Sequence, residues 1–167
     1  PTCIDDAIVV NTCGFIGPAK EESIDRILEA AKHKRARPDM KLVVTGCLTQ
    51  RYKGQLAKGL PEVDLFIGTD QFAEIGELID GLDKGEVASA AEQPKVFAQR
   101  THYLYNERLP RVNTLTKHSA YVKVAEGCQH NCAFCIIPAI RGRLRSRPVA
   151  SVVQEVKTLV EQGVKEI

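Results

Sequence analysis

Short apolar runs alternate with helical patterns over the first half of the chain. Residues 7–10 form a continuous run rich in β-branched side chains, which is typical of a strand covered on both faces. A helix is predicted to begin at Pro18. Its core face is predicted to be apolar at Ile24, Ile27, Leu28 and Ala31. A second buried strand at 42–44 repeats the pattern, and strand, helix, strand implies a parallel pair with a crossover.

The same alternation continues to about residue 82. It predicts a short helix around residues 50–60, a strand at 65–67 and a helix from about residue 70 to residue 81. These elements together predict an α/β domain with a doubly wound parallel sheet over residues 1–82.

The periodicity is lost from residue 83 to residue 118. This segment is predicted to be a linker between domains, with short extended pieces near 96–97 and 103–105. A second domain is predicted over residues 119–167, as a strand at 121–125, a polar loop and a helix over 149–162. The apolar residues of that helix, predicted to form its core face, are Val152, Val153, Val156, Leu159 and Val160. One strand and one helix in this order form a single β/α unit of a barrel, whose sites lie at the carboxyl ends of its strands.

Composition narrows the class of protein only slightly. With 167 residues and 44% apolar content, the chain can form one or two small packed domains. A net charge of +2 does not decide between nucleic acid and other partners. Six cysteines without a signal peptide or a long apolar segment indicate reduced thiols and a cytoplasmic protein with no membrane partner. The ends at Pro1 and Ile167 indicate a fragment.

Two cysteines follow predicted strands directly. Cys13 comes after the first strand and Cys47 after the second. Parallel strands end at the same edge of a sheet, where open α/β sheets bind ligands, so the two thiols are expected to meet there. The alternative is that both are small buried residues that pack as hydrophobes. Cys3 precedes the first strand and is interpreted as incidental.

The most specific pattern is a loop with three cysteines in the spacing C-x3-C-x2-C. Cys128, Cys132 and Cys135 provide three thiolates without a fourth. Structural zinc requires four protein ligands, whereas a 4Fe-4S cubane held by three cysteines leaves one iron open for a reaction. His130 as a fourth ligand would give a zinc site, which is the alternative interpretation.

This loop, with Phe134 directly before the third cysteine, resembles the signature of the radical S-adenosylmethionine (SAM) superfamily. The resemblance implies that the open iron is chelated by SAM and that the cosubstrate is cleaved reductively to a radical. It also implies that Cys128, Cys132, Cys135 and Phe134 form the cofactor-binding site. The cofactor supplies the difficult chemistry, and the protein supplies position and seclusion.

Arginines occur at alternate positions between residues 141 and 147, after the cysteine loop. An extended strip would direct them to one side, where guanidinium groups can bind carboxylate or phosphate. The alternative is a solvated basic loop. The sequence favours a functional role for some of these arginines because the cysteines are adjacent.

Several motifs together resemble the methylthiotransferases. They lie at residues 10–16, 45–50, 61–64 and 145–148, in addition to the cysteine loop, and they extend over nearly the whole chain in the family's domain order. The resemblance implies a doubly wound amino-terminal domain followed by the start of a radical-SAM partial β/α barrel. Within the family, residues 11–16, 19–25 and 141–148 resemble the branch that modifies an aspartate of small-ribosomal-subunit protein twelve.

The family resemblance implies two 4Fe-4S clusters in addition to SAM. Cys13 and Cys47 are expected to be two of the three ligands of an auxiliary cluster, whose third ligand lies in a Cys-x-x-Asn segment upstream of residue 1. The auxiliary cluster is expected to carry the sulfur that becomes a methylthio group on the β-carbon of the target aspartate. An electron donor such as flavodoxin or ferredoxin is expected, and the fragment alone is expected to be inactive.

Two other functions remain open at the level of sequence. The first is methylthiolation of a tRNA adenosine, in which the arginine strip would contact phosphate. The second belongs to another class, a zinc-stabilised binding module without catalysis.

Overall fold

The computed structural model describes residues 7–84, 95–98, 102–109, 111–113 and 117–167. The chain divides into two compact units, Pro1–Thr101 and His102–Ile167. Cys3 lies outside the described residues, as does much of the predicted linker. The predicted domain boundaries at residues 82 and 119 stay a prediction.

The described part of the first unit contains one parallel sheet with the strand order β1-β2-β3-β4. Its elements in chain order are β1 (Ala7–Thr12), α1 (Gly17–Ala36), β2 (Lys41–Gly46), α2 (Cys47–Gly59), β3 (Leu65–Ile67), a 3-10 turn (Gln71–Glu74), α3 (Ile75–Asp83) and β4 (Lys95–Phe97). The extended piece expected near 96–97 is therefore a strand of this sheet. The piece expected near 103–105 does not form a strand.

Helices cover both faces of the sheet, which confirms the doubly wound fold. One buried cluster lies between the sheet and helices α1 and α2; its members include Ile27, Ala31, Leu42, Val44, Leu48, Leu56 and Phe66. A second cluster, on the side of α3, contains Val43, Leu65, Ile67 and Leu82. Leu42 and Val43 fall in different clusters because neighbouring residues of a strand point to opposite faces.

Two details of the predicted core are wrong. Strand β1 is not covered on both faces, since it lies at the edge of the sheet and Val9 is 45% exposed. Helix α1 buries Ile27 and Ala31 as predicted, but it leaves Ile24 and Leu28 exposed and buries Ser23 and Ala30 in addition. The buried stripe is shifted because the Ser23 hydroxyl turns toward the sheet, where it bonds to the backbone of Cys13.

A buried carboxylate ties the end of α1 to two strands. The Asp64 carboxylate accepts a hydrogen bond from the backbone N–H of Leu42 at 2.7 Å and forms an ion pair with Lys34. The backbone N–H of Asp64 donates to the Leu42 carbonyl at 2.9 Å. A buried charge needs such partners to offset its desolvation. The motif at residues 61–64 therefore has a structural function in this unit.

The second unit is built around a short antiparallel pair. Its elements are β5 (Ala125–Glu126), α4 (Ile137–Arg141), β6 (Arg145–Ser146) and α5 (Val149–Glu161). Strand β5 pairs with β6 through Ala125↔Ser146 and Glu126↔Arg145. The β/α order is present, and a single parallel bridge joins Ser119 to Glu166.

The predicted strand at 121–125 is wrong for residues 121–124, which are not part of a strand. A strand requires a hydrogen-bonded neighbour along its length. In the part of the chain that the structure describes, the parallel partner reaches only Ser119 and the antiparallel partner begins at Ala125.

The predicted core face of α5 is too wide. Leu159 is buried against Ala120 and Val164, with Val122 packed beside them, but Val153 and Val160 are 45% and 56% exposed. Val152 and Val156 are partly buried, so the covered stripe of the helix is narrower than predicted.

Candidate metal centres

The structure brings Cys13 and Cys47 to the same edge of the sheet. In the register of β1 and β2, Thr12 is paired with Gly46, and each cysteine is the next residue after this pair. The Thr12 hydroxyl donates to the Thr45 carbonyl at 2.6 Å and fastens the two strand ends together. The expected meeting of the two cysteine segments is therefore found.

Two glycines let these segments approach backbone to backbone. Gly46 has a φ of +105°, and a Cβ there would lie 2.4 Å from the Thr12 carbonyl oxygen. A Cβ on Gly14 would lie 2.6 Å from the Cys47 carbonyl oxygen. Because both distances are far below contact, only glycine fits at either position.

Neither thiol is a buried packing residue, since Cys13 is exposed and Cys47 is partly exposed. The alternative that both are small buried residues is therefore wrong as to burial, and their role as ligands stays a prediction. The backbone of Cys13 is held by Ser23, whose hydroxyl accepts from its N–H at 3.0 Å. Cys47 is the first residue of α2.

The three-cysteine loop begins directly after β5 and returns to β6, so its two ends are held together. The N–H of Cys128 donates to the Gly142 carbonyl at 3.1 Å. Gly127 has a φ of +78°, and a Cβ there would lie 2.3 Å from the Arg143 carbonyl oxygen. The base of the loop therefore depends on direct backbone contact at Gly127.

Glu126 fastens the base of the loop from the side. Its carboxylate accepts from the Gly127 N–H at 3.0 Å and pairs with Lys123 and with Arg141, the latter at 3.2 Å. Burial by itself raises the pKa of Glu126, but the Lys123 hydrogen bond, the Arg141 charge and the Gly127 N–H together outweigh it and leave the pKa below its ordinary value. Glu126 therefore remains charged near neutral pH.

Within the loop, the thiols of Cys128, Cys132 and Cys135 are free. Cys132 is exposed, and the N–H of Cys135 donates to its carbonyl at 3.0 Å, which closes a turn. The ring of Phe134 is 93% exposed. In the described residues, no three side chains of His, Cys, Asp or Glu converge into a group that could hold a metal ion.

The donor set of the loop nevertheless fits a cluster with three thiolate ligands. The three thiols lie within eight residues, on a loop that is anchored only at its two ends. Thiolates are the usual ligands of iron–sulfur clusters. Cys13 and Cys47 offer two further thiols at a separate edge, so the chemistry of that pair fits a second cluster that takes a further ligand from elsewhere.

Most of the predicted arginine strip is engaged inside the second unit. Arg147 is buried, pairs with Glu155 and donates to the Lys123 carbonyl at 2.9 Å. Arg145 donates to the carbonyls of Arg143 and Tyr103 at 3.0 and 3.2 Å. Arg143 is exposed, whereas Arg141 and Arg145 are partly exposed, so a functional role for some of the four stays a prediction.

Sequence analysis missed Glu126 and Arg51. Arg51 donates to the Gly14 carbonyl at 2.9 Å. Each had a signal in the sequence, since Glu126 directly precedes the loop glycine and Arg51 lies one helical turn after Cys47.

Replacing Gly127 with alanine is expected to open the base of the cysteine loop. The added Cβ collides with backbone, and the positive φ is strained for any L side chain, at a cost of about 1–3 kcal/mol. Iron bound by the loop after anaerobic reconstitution should fall well below that of the unmodified protein. The matched control is Gly54→Ala, at a helix position where a Cβ meets nothing within 4 Å, and equal iron retention by the two variants would contradict the prediction.

Two family models match the chain. Residues 5–68 match the Uncharacterized protein family UPF0004, and residues 122–167 match the Radical SAM superfamily.

Curated relatives of this chain carry the name Ribosomal protein uS12 methylthiotransferase RimO. The relative from Syntrophotalea carbinolica is 50% identical over 97% of this chain and 34% of its own length. The relative from Myxococcus xanthus is 48% identical over 96% of this chain and 32% of its own length. The relative from Bdellovibrio bacteriovorus is 48% identical over 97% of this chain and 34% of its own length.

A parallel α/β unit of the UPF0004 type followed by a three-cysteine loop of the radical SAM superfamily defines the class of this protein. Over nearly its whole length the chain is similar to curated relatives named for the methylthiolation of ribosomal protein uS12, and its carboxyl-terminal segment matches the radical SAM superfamily. It spans about a third of the length of the curated relatives it matches. No helix in the described residues has the length and apolar character needed to cross a membrane.

Proposed function

We propose that this chain supplies the cysteine sites of a methylthiotransferase that modifies the β-carbon of an aspartate in ribosomal protein uS12. One observation carries the proposal: a loop of three free thiols and a second pair of free thiols at the carboxyl edge of a parallel sheet occur in one chain. A sequence identity of about 48% over nearly the whole chain to relatives named for uS12 supports the choice of substrate.

The loop residues Cys128, Cys132 and Cys135 would hold a 4Fe-4S cluster together with SAM. When bound, the cluster and SAM together would supply one-electron chemistry that removes hydrogen from an unactivated carbon. The protein holds the loop at its base through Gly127 and Glu126. The Phe134 ring, which is 93% exposed, offers an apolar surface for the cosubstrate.

Cys13 and Cys47 would be two ligands of a second 4Fe-4S cluster, which holds the sulfur to be transferred. Their two segments are fixed by Gly14, Gly46 and Ser23, so little rearrangement of backbone is needed for binding. The third ligand is proposed to come from a segment other than those described. An electron donor such as flavodoxin or ferredoxin would deliver single electrons, and free thiols accord with a cytoplasmic location.

The alternative of tRNA modification relied on the arginine strip as a phosphate site. Arg145 and Arg147 donate to carbonyl and carboxylate groups of the same unit. Their charges are therefore less available to phosphate than a solvated strip would be, which supports the protein substrate over tRNA.

The test uses the full-length enzyme, reconstituted anaerobically with iron and sulfide and supplied with SAM and a one-electron reductant. Equal samples receive uS12 or bulk tRNA, and the products are digested and analysed by mass spectrometry. A methylthio group on a uS12 aspartate is the expected result. The same group on a nucleoside would transfer the proposal to tRNA. A colourless protein with stoichiometric zinc and no product from either substrate would support a zinc-stabilised binding module.

A matched variant separates the two cysteine sites in the same assay. Cys13→Ala is expected to leave SAM cleavage intact, because the loop thiols are unchanged, and to abolish methylthio transfer. Full transfer by Cys13→Ala would refute the proposed function of the Cys13 and Cys47 pair.

A further inference from the structure

Arg51 connects the two segments that carry Cys13 and Cys47. The β1–β2 ladder ends at Thr12 and Gly46, so the residues beyond it need other attachments. Arg51 lies four residues after Cys47 on α2, and its Nη1 donates to the Gly14 carbonyl at 2.9 Å. Residues four apart lie on the same face of a helix and side chains lean toward its N-terminus, so the guanidinium reaches back to the end that bears Cys47.

The guanidinium of Arg51 is itself oriented by neighbours. It lies over the ring of Tyr52 at 5.0 Å from the centroid, an arrangement that attracts a cation to an aromatic face. Tyr52 is partly buried against the core cluster, and its hydroxyl accepts from Lys20 of α1 at 3.4 Å. Arg51 is thus directed toward the Cys13 loop by a ring that the core holds in place.

The charge of Arg51 also has a consequence at this site. A cluster with thiolate ligands is anionic, and reduction adds one more negative charge. A cation nearby stabilises the reduced state and moves the reduction potential to more positive values, since net charge and hydrogen bonding near the sulfurs tune iron–sulfur potentials.

We infer that Arg51 is a positioning residue for the pair Cys13 and Cys47: it holds the Cys13 loop against α2 and places a positive charge beside the cluster that the pair would bind. This inference rests on the proposed function for its cluster, although the geometric part concerns the metal-free chain.

The first experiment measures how fast the thiols of Cys13 and Cys47 form a disulfide when no metal is bound. The metal-free chain is treated with a mild oxidant, and formation of the Cys13–Cys47 disulfide is followed by mass spectrometry after proteolysis. Arg51→Ala is expected to slow formation roughly tenfold, in line with loss of one hydrogen bond to a charged group. The control is Lys58→Ala, a cation in the last turn of the same helix, which should match the unmodified chain.

The second experiment measures the potential of the cluster in the full-length protein by a redox titration followed by electron paramagnetic resonance. Arg51→Lys keeps the charge, whereas Arg51→Gln keeps a hydrogen-bond donor without charge. The potential of the Gln variant should move to more negative values, and that of the Lys variant should stay near the unmodified value. These two variants retain side-chain bulk, so the comparison holds even if Arg51→Ala fails to fold.

The outcomes distinguish the inference from the proposed function. If the unmodified full-length protein binds iron for only one cluster, the proposed role of Cys13 and Cys47 fails, while the disulfide rates still test whether Arg51 positions the loop. If two clusters bind and the Arg51 variants match Lys58→Ala in both disulfide rate and potential, the inference is overturned.

Discussion

Cys132→Ala is expected to remove the iron–sulfur cluster of the loop while leaving both units folded. Cys132 is exposed and makes no core contact, so its side chain contributes nothing to packing. A cubane held by two thiols instead of three loses a ligand at one iron, so the loop cluster should be lost and any remaining iron should be that held at Cys13 and Cys47. The measurement is iron and sulfide stoichiometry with visible absorption after anaerobic reconstitution, read together with the circular dichroism of the metal-free protein.

His130→Ala is the matched control for this prediction. His130 lies in the same loop and is also exposed, and it is the residue that a closed zinc site would need. Iron binding should be unchanged in His130→Ala. Loss of bound metal in this variant, or retention of full iron in Cys132→Ala, would contradict the cluster and favour zinc.

Arg147→Ala is expected to destabilise the second unit by about 3 kcal/mol, because the change removes a buried ion pair with Glu155 and leaves the Lys123 carbonyl without its donor. The Arg147 side chain is 1% exposed and pairs with Glu155, which also binds Arg111 at 2.6 Å. Arg147 further donates to the Ser151 hydroxyl at 2.9 Å. One side chain thus joins β6, α5 and the segment before β5.

Hydrogen exchange followed by mass spectrometry checks this prediction within each unit. Amides of α5 should exchange about a hundredfold faster in Arg147→Ala, since each 1.4 kcal/mol is a factor of ten in the opening equilibrium. Peptides from β1 to β3 should be unaffected. Arg143→Ala, at an exposed position of the same segment, is the control, and equal exchange of α5 in the two variants would refute the structural role of Arg147.

The sequence was sufficient to predict the arrangement of the first unit because its strands are marked by continuous apolar runs. Residues 42–44 and 65–67 are almost fully buried in the structure, as such runs predict. Parallel topology then required Cys13 and Cys47 to share an edge. The meeting of the two cysteine segments followed from the strand positions, whereas the role of the two thiols as cluster ligands is implied only by the family resemblance.

Burial on the helices was harder to predict because it depends on what each helix contacts. Ile24 and Leu28 have the apolar character of core residues, yet the hydroxyl of Ser23 occupies the position against the sheet. Val153 and Val160 similarly fit the helical period of α5 but are exposed, and neither belongs to the buried cluster around Leu159. The hydrophobic period predicts where a helix forms, but it does not predict which residues of other elements cover that helix.

The arginine strip shows the same limit for polar side chains. Alternation correctly indicated extended backbone at Arg145. It contained no information on Glu155 or on the Tyr103 carbonyl, which lie 8 and 42 residues away from their arginine partners. Internal partners at such separations become visible only when the chain is folded.

Gly14 and Gly46 lie close to backbone atoms, and this determines which mutations the carboxyl edge of the sheet tolerates. The nearest atom to a Cβ at Gly14 or at Gly46 belongs to a peptide group that every residue type possesses, so an exchange of neighbouring side chains cannot relieve the clash at either position. Sensitivity to mutation is therefore expected at two residues that have no side chain of their own, in addition to Ser23 and Arg51, and a search for damaging variants should include them.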